Sequence, residues 1–185
     1  MMNIVQIGAC DGNDELTEYL KGVEPSKVNK LILVEPMKIH HDKLRELYKD
    51  YPLYIEECVI GLSNTSTKFY YHKKDAPRFC VSSLSKEHIY KHGYTSEDLI
   101  EIDVPCMDIN NLFDKYELKV IDYLNIDAEG YDDIIIQSIN FDNYLVKAIL
   151  FEELHINAPK IVEYLSAFYY ECVTGVNRNC LATKK

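Results

Sequence analysis

Acidic side chains and a histidine directly follow two apolar segments in the second half of the chain. The segment LNIDAEGYDD places Asp127 and Glu129 after one apolar run. The segment ILFEELH places Glu152, Glu153 and His155 after the next. Carboxylates and imidazoles transfer protons, and carboxylates also bind hard divalent cations. Because neighbouring parallel strands end at the same edge of a sheet, we expect these groups to form one site.

Two mechanisms fit such a site, with Asp127, Glu153 and His155 as candidate catalytic residues. In the first, Asp127 or His155 accepts a proton as a general base. In the second, the carboxylates of Asp127, Glu152 and Glu153 hold Mg²⁺ or Mn²⁺, which lowers the pKa of a bound hydroxyl. Both Glu129 and His155 also have a structural explanation that needs no catalytic role. An acidic residue such as Glu129 is favoured near the start of a helix, and His155 could be a hydrogen-bonded histidine in a loop.

A turn with two glycines, Gly8 and Gly12, joins an apolar run to a helical pattern in the segment NIVQIGACDGNDELTEYL. Glycine there lets a ligand approach the backbone, although a tight strand-to-helix turn explains it equally well. In the segment LILVEP, Glu35 directly follows the apolar run, and its carboxylate can accept hydrogen bonds from both hydroxyls of an adenosine ribose. The loop lacks G-x-G-x-x-G, and Asp11 places negative charge where a pyrophosphate would lie. These features favour S-adenosylmethionine (SAM), a cation, over NAD.

Short apolar segments alternate with helical patterns along the chain. The apolar runs lie at 4–7, 31–34, 53–60, 121–126 and 148–151, and the helical patterns at 14–21, 37–49, 108–116, 131–138 and 159–168. This alternation predicts a parallel sheet with helices on both faces, in one domain spanning residues 1–185. The final segment ECVTGVNRNCLATKK predicts an antiparallel hairpin. The predicted fold class is α/β: a class I methyltransferase Rossmann-like fold with a mostly parallel seven-stranded sheet.

Residues 65–107 interrupt this alternation with TKFYYHKK, SSLSKEHIYKHGYTSED and IEIDVPCM. The stretch predicts added strands and a short helix inserted between core elements. Since the first strand begins at about residue 3, we expect no helices before it to cover an acceptor. We therefore expect residues 65–107, or a second subunit in a homodimer, to provide that cover.

Composition disfavours several classes of function. A net charge of −10 disfavours nucleic-acid binding, and no apolar run approaches the roughly 20 residues of a membrane span. Without a recognisable signal peptide, a cytoplasmic protein is expected. Six cysteines without a C-x-x-C pair argue against a zinc site and favour reduced, buried thiols at Cys58, Cys106 and Cys172. The pair His40 and His41 is expected on the surface.

Six segments carry a family resemblance: VQIGACDG, LVEP, CVIGLSN, SSL, IDYLNIDAEGYDDIIIQSI and ILFEELH. In order and approximate spacing they resemble FkbM-type methyltransferases, from about residue 3 to the end of the chain. The resemblance implies SAM-dependent transfer of a methyl group to a hydroxyl of a small acceptor, a sugar or glycan first. We expect the cofactor to contact Gln6, Gly8, Ala9, Asp11, Asn13, Glu35, Pro36, Met37, Leu62, Ser63 and Asp127. Many members have Asp at the position of Gln6, which can still accept a hydrogen bond from the cofactor's amine.

Two other functions stay open at this point. The same cofactor could serve N-methylation, or the chain could be a catalytically degenerate SAM-binding module that acts as a partner's subunit. The acidic groups at the predicted strand ends favour an enzyme over the binding module. NAD-dependent oxidoreduction is the weakest alternative.

Overall fold

The computed structural model describes residues 1–185, with side chains described for residues 1–175 and 177–185. In chain order the elements are β1 (Met2–Ile7), α1 (Glu15–Leu20), β2 (Val28–Val34), α2 (His41–Leu47), β3 (Leu53–Glu56), β4 (Val59–Ile60), β5 (Ser66–His72), α3 (Lys86–Lys91), β6 (Leu99–Met107), α4 (Ile109–Lys115), β7 (Val120–Ile121), β8 (Tyr123–Ile126), α5 (Asp132–Ser138), β9 (Leu145–Val146), β10 (Ala148–Glu152), α6 (Ala158–Ala167), β11 (Tyr170–Val176) and β12 (Asn179–Lys184). Short 3-10 helices lie at Pro25–Lys27, Lys38–His40 and Lys73–Asp75.

The central sheet has seven strands in the order β11-β12-β10-β8-β1-β2-β3. All neighbours from β10 to β3 are parallel, whereas β12 is antiparallel to both β10 and β11. The predicted Rossmann-like fold, a mostly parallel seven-stranded sheet with an antiparallel C-terminal hairpin, is confirmed. The strand order reverses at β1, which lies between β2 and β8. In open α/β sheets ligands bind beyond the carboxyl ends of the strands at such a point.

Strand β1 shows why helices cover both faces of this sheet. Successive side chains of a strand point to opposite faces. Ile4 belongs to the apolar cluster that contains Leu16 of α1, and Val5 belongs to the cluster that contains Phe113 of α4. All four side chains are fully buried. The two layers therefore hold the end of β1, and the turn that follows it, in a fixed position.

The predicted helices match α1, α2, α4, α5 and α6, although the second begins with the 3-10 turn Lys38–His40. The expectation that His40 and His41 lie on the surface is wrong, because both are buried beside the end of β2. The His41 Nε2 atom is 2.8 Å from the Glu35 carbonyl oxygen. Within the described chain, none of the helices combines the length and apolar character of a transmembrane span.

Residues 65–107, called the insert below, form β5, α3 and β6. Strands β5 and β6 pair antiparallel, and β6 also pairs with β4 in a small sheet outside the central one. The added strands and the short helix expected from the sequence are therefore present. The role of the insert as cover for an acceptor stays a prediction, as does the single-domain organisation.

Candidate active site

The carboxyl ends of β1, β8 and β10 lie side by side at one edge of the central sheet. Ile7 pairs with Ile126, and Ile126 pairs with Phe151. The Asp127 amide, directly after β8, donates a hydrogen bond to the Ile7 carbonyl oxygen at 3.0 Å. The topology thus brings the segments after β8 and β10 to one edge, as expected from the sequence.

Asp132, which the sequence analysis did not single out, joins two of these strand ends. Its carboxyl group is buried and accepts hydrogen bonds from the backbone amides of Ala128 (3.2 Å) and Glu152 (3.3 Å). Burial, together with the nearby Asp127, raises its pKa well above the ordinary value. Its place in the first turn of α5, directly after the DAEGY segment, was the available signal. Asp132 positions the backbone that carries the acidic residues of the site.

A cavity opens between the turn after β1, the end of β2 and the insert. Its volume is about 180 Å³, and the space that includes its mouth to solvent is about 880 Å³. Most of the predicted cofactor residues line it, namely Gly8, Ala9, Asp11, Asn13, Glu35, Pro36 and Asp127. Side chains of the insert, including Phe69 and Leu84, form part of its wall.

Glu35 lies at the end of β2 with only 5% of its surface exposed. One carboxylate oxygen accepts a hydrogen bond from the Cys10 amide at 2.8 Å, and the other accepts one from the Met37 amide at 2.7 Å. Burial raises the pKa of this carboxyl group to about 7, although the two amide hydrogen bonds oppose the shift. Each oxygen keeps a lone pair for a further donor, so the group can accept two hydroxyls.

Gln6 does not line the cavity but lies behind it, fully buried in β1. Its Nε2 atom donates a hydrogen bond to Asp14 at 2.7 Å. Its Oε1 atom has no hydrogen-bond partner among the described residues. Gln6 therefore acts on the cavity only through Asp14, which lines it, and the predicted direct contact of Gln6 with the cofactor is not supported by its position.

Both glycines of the first turn have a positive φ angle, and at Gly8 an added side chain would also meet backbone atoms. Gly8 has φ +78°, and a Cβ atom there would lie 1.8 Å from the Asp127 carbonyl oxygen. Gly12 has φ +74°, and its Cβ atom would lie 2.6 Å from a Leu47 methyl group. The tight-turn explanation therefore accounts for both positions without a ligand. Gly8 brings the turn after β1 into direct contact with the end of β8.

Asp127 and Glu129 are surrounded by other acids. Burial first, and then the nearby charges of Glu129 and Glu152, raise the pKa of Asp127 well above its usual range. Burial and Glu152 raise the pKa of Glu129 to about 7. Repulsion among neighbouring carboxylates has this effect wherever no cation compensates them. This end of β8 therefore favours a positively charged ligand.

A comparison with protein-family models matches residues 6–172 to the methyltransferase FkbM domain. This chain belongs to the FkbM methyltransferase family. The match extends from within β1 to within β11 and so includes the cavity, the insert and both acidic strand ends. No curated protein matches the chain.

Two residues that were predicted to contact the cofactor, Leu62 and Ser63, are not among the described residues that line the cavity of the FkbM domain. Leu62 is 68% exposed, and the Ser63 hydroxyl is 3.2 Å from the Thr65 hydroxyl. Strand β4 ends at Ile60, so the chain has already turned away from the cavity at these positions. Val59 and Ile60 line the cavity instead. The apolar run at 53–60 was the signal for them.

Met37 is also not among the described residues that line the cavity. Its backbone amide, rather than its side chain, acts on the site, because it donates a hydrogen bond to Glu35.

The predicted metal set of Asp127, Glu152 and Glu153 is not assembled in the FkbM domain. Among the described residues, the oxygen atoms of these three carboxylates do not all lie within 4.8 Å of one another, as the atoms of a shared metal site would. Glu153 points to the C-terminal hairpin, where its carboxylate accepts a hydrogen bond from the Gly175 amide at 2.7 Å. His155 Nε2 is 4.0 Å from a Glu152 oxygen.

The negative charge of Asp11 is compensated by two cations in the structure. Asp11 forms ion pairs with Lys43 at 2.9 Å and with Arg78 of the insert at 3.3 Å. Burial alone would raise the pKa of Asp11, but the hydrogen bonds from Lys43 and Arg78 lower it. Because two cations compensate this carboxylate, it does not by itself exclude a pyrophosphate. The acids around Asp127 favour a cationic ligand instead.

A disulfide bond that the sequence analysis did not predict links Cys10, in the turn after β1, to Cys80 in the insert. Both residues line the cavity. Cys58 and Cys106 are free and buried, as expected, whereas Cys172 is free but only half-buried. Disulfides are uncommon in the cytosol, so this bond weighs against the predicted cytoplasmic location, which stays a prediction.

Proposed function

We propose that this FkbM methyltransferase transfers a methyl group from SAM to a hydroxyl of a small acceptor, with sugars and glycans as the first class to test. The observation that carries the proposal is the cavity that joins the buried Glu35 carboxylate to the acidic end of β8. SAM supplies an electrophilic methyl group on a positively charged sulfur. The test is calorimetric titration with SAM, followed by turnover of methyl-labelled SAM against a panel of free sugars and glycosides.

The polar groups of the cavity match those of SAM in kind. Glu35 has free lone pairs for the two ribose hydroxyls. The Asp14 carboxylate lines the cavity, is held by a hydrogen bond from Gln6 Nε2, and favours the positive charge of the amine. Val59 and Ile60 provide an apolar surface for adenine. These features support SAM as the cofactor.

Charge also supports SAM over a dinucleotide. Asp14, Glu15, Glu129 and Glu152 all raise the pKa of Asp127 by their charges. A bound cation relieves this repulsion, whereas the pyrophosphate of NAD would add to it.

The acceptor hydroxyl must lose its proton as it is methylated, so the site needs a base. Asp127 borders the cavity, and its raised pKa makes its ionised form a stronger base than an ordinary carboxylate. His155 is the alternative, beside Glu152 at the end of β10. A base at this position supports a hydroxyl rather than an amine as the acceptor.

Replacing Glu35 by glutamine tests the ribose contact. Wild-type SAM affinity should fall as the pH drops through about 7, by up to about tenfold for each pH unit, because the ribose hydroxyls need the ionised carboxylate. Glu35→Gln should bind SAM about 1–3 kcal/mol more weakly at pH 8 and lose this part of the pH dependence. Calorimetry from pH 5.5 to 8.5 measures both effects. The exposed Glu163→Gln is the matched control, and identical pH profiles for Glu35→Gln and wild type would exclude the ribose contact.

We propose that the insert covers the acceptor. Phe79 and Leu84 of the insert line the cavity, and the Ser83 hydroxyl donates a hydrogen bond to the Glu129 carbonyl oxygen at 2.9 Å. The insert therefore reaches the acidic strand end where the acceptor must lie. A second subunit in a homodimer is the alternative source of cover.

Replacing residues 85–96 by a short glycine-serine linker tests this cover. SAM affinity should change by less than about tenfold, because Glu35 and the turn after β1 remain. Turnover should be lost, because the acceptor would no longer be covered and held, and its site would be open to water. Calorimetry and labelled-methyl transfer measure the two effects, and light scattering reports the oligomeric state. Wild-type turnover in a monomeric deletion variant would show that the insert is not the cover.

A further inference from the structure

Three of the six histidines lie together where the insert meets the end of β10. His88 belongs to α3, His92 directly follows that helix, and His155 follows β10. The ring centroids are 4.6 Å apart for His88 and His92, 4.6 Å for His88 and His155, and 5.2 Å for His92 and His155. One ligand nitrogen from each ring lies within 4.8 Å of the other two. No step of the proposed methyl transfer uses this cluster as a whole.

His88 has a nitrogen that no protein group satisfies. The residue is 3% exposed, and its Nε2 atom is 2.6 Å from a Glu129 carboxylate oxygen. When the Glu129 carboxylate is ionised, it only accepts, so Nε2 then carries the proton and Nδ1 keeps its lone pair. Nδ1 is buried and has no hydrogen-bond partner among the described residues. An imidazole held by a carboxylate on one nitrogen, with the other free, has the arrangement of a metal-binding histidine.

Gly130 keeps the space beside this nitrogen open. A Cβ atom at position 130 would lie 3.1 Å from His88 Nδ1 and 3.4 Å from His155 Cβ. The φ angle of +86° at Gly130 also favours glycine. His88 and His92, four residues apart at the end of one helix, have the spacing of paired zinc ligands on a helix face.

We infer that His88, His92 and His155 bind a divalent transition-metal ion of the zinc class, at the junction of the insert and the central sheet. Imidazole ligands suit Zn²⁺ and its neighbours, and three histidines leave a fourth position open. The nitrogens of a tetrahedral site lie about 3.4 Å apart, so the rings must move closer by up to about 1.4 Å. The exposed His92 has the freedom to make this movement. Because two ligands belong to the insert and one follows β10, the ion holds the insert against the strand ends.

Titration of the protein, stripped with EDTA and desalted without reductant, tests this site. Zn²⁺ should bind with one-to-one stoichiometry in calorimetry, and Co²⁺ should give visible absorption bands of a tetrahedral nitrogen site. His92→Gln and His155→Gln should each weaken Zn²⁺ binding by at least about 10–100-fold. Lys91→Gln, beside His92 but without a ligand, should bind as wild type does. Zn²⁺ should also slow proteolysis within residues 73–98 in wild type and not in His92→Gln.

Three results would overturn the assignment. The first is that the wild-type protein binds no stoichiometric Zn²⁺. The second is that His92→Gln binds Zn²⁺ as tightly as Lys91→Gln does. The third is a thiolate-to-Co²⁺ absorption band, which would place the ion at cysteines. Since His92 is exposed, its substitution leaves the fold intact, and a normal melting curve checks this. None of these measurements needs SAM or an acceptor, so their outcome is independent of the proposed function.

Discussion

Asp127→Asn is expected to lower the turnover of methyl transfer by about 10²–10⁴-fold, the usual cost of losing a positioned acid–base group. Asparagine keeps the size of the side chain and the backbone hydrogen bond to β1, but it cannot accept the acceptor's proton. SAM affinity should change much less than turnover. Single-turnover transfer of labelled methyl and calorimetry with SAM measure the two quantities. Asp133→Asn, on α5 outside the cavity, is the matched control.

The same substitution should stabilise the protein without cofactor at neutral pH. The pKa of Asp127 is raised in the folded state, so its stabilising contribution is present below its unfolded pKa near 4 and is lost as the pH rises through the folded value. Asparagine does not titrate. The melting temperature of the variant should therefore exceed that of wild type by a margin that grows as the pH rises from about 4 towards the raised pKa of Asp127, at about 2–4 °C for each kcal/mol. A variant with near-normal turnover would eliminate Asp127 as the base and make His155 the next candidate.

Gly8→Ala is expected to destabilise the protein by more than about 4 kcal/mol, or to prevent folding. The new Cβ atom would lie 1.8 Å from the Asp127 carbonyl oxygen, and backbone atoms at the end of two central strands cannot move aside at low cost. Urea unfolding followed by circular dichroism measures the loss. Gly93→Ala is a matched control, because Gly93 also has a positive φ (+82°) but has nothing within 4 Å of the added atom.

Gly93→Ala should cost only about 1–2 kcal/mol, the strain of a left-handed residue. The difference between the two variants isolates the close approach of β1 and β8. If both variants lost the same stability, backbone conformation alone would explain Gly8, and the contact with Asp127 would not matter.

The fold was predictable because it depends on local patterns. Short apolar runs, helical periodicity and the final hairpin pattern determined the strands, the helices and the parallel arrangement. The parallel arrangement then placed Glu35 and Asp127 at the same edge of the sheet, because every parallel strand of the sheet ends there. Both residues line the cavity.

Side-chain directions beyond the strand ends were not predictable in the same way. Glu152 and Glu153 are adjacent in sequence, yet Glu153 bonds to the hairpin. Once a strand ends, each turn sets its own directions, and Leu62 and Ser63 turn away from the cavity for the same reason.

Contacts between distant parts of the chain also left no local signal. Cys10 and Cys80 are 70 residues apart, and nothing in their neighbouring sequence indicates the other. The pairing of Asp11 with Arg78 depends on the same approach of the insert to the first turn. His88 and His155 meet only because α3 packs beside the end of β10. The sequence therefore predicted the scaffold and the position of Glu35 and Asp127 at one edge of the sheet, but not the contacts that the insert makes with the first turn and with the end of β10.

The strand that comes last in the sequence lies inside the sheet. Strand β12 separates β10 from β11, and its Cys180 and Ala182 side chains are fully buried. During synthesis, β10 therefore keeps an open edge until residues 179–184 have been made, and open strand edges pair with other chains. The nascent chain cannot complete its sheet progressively from the N-terminus, and it exposes apolar surface during this delay. Aggregation is thus a greater risk while the chain lacks β12 than after β12 has entered the sheet.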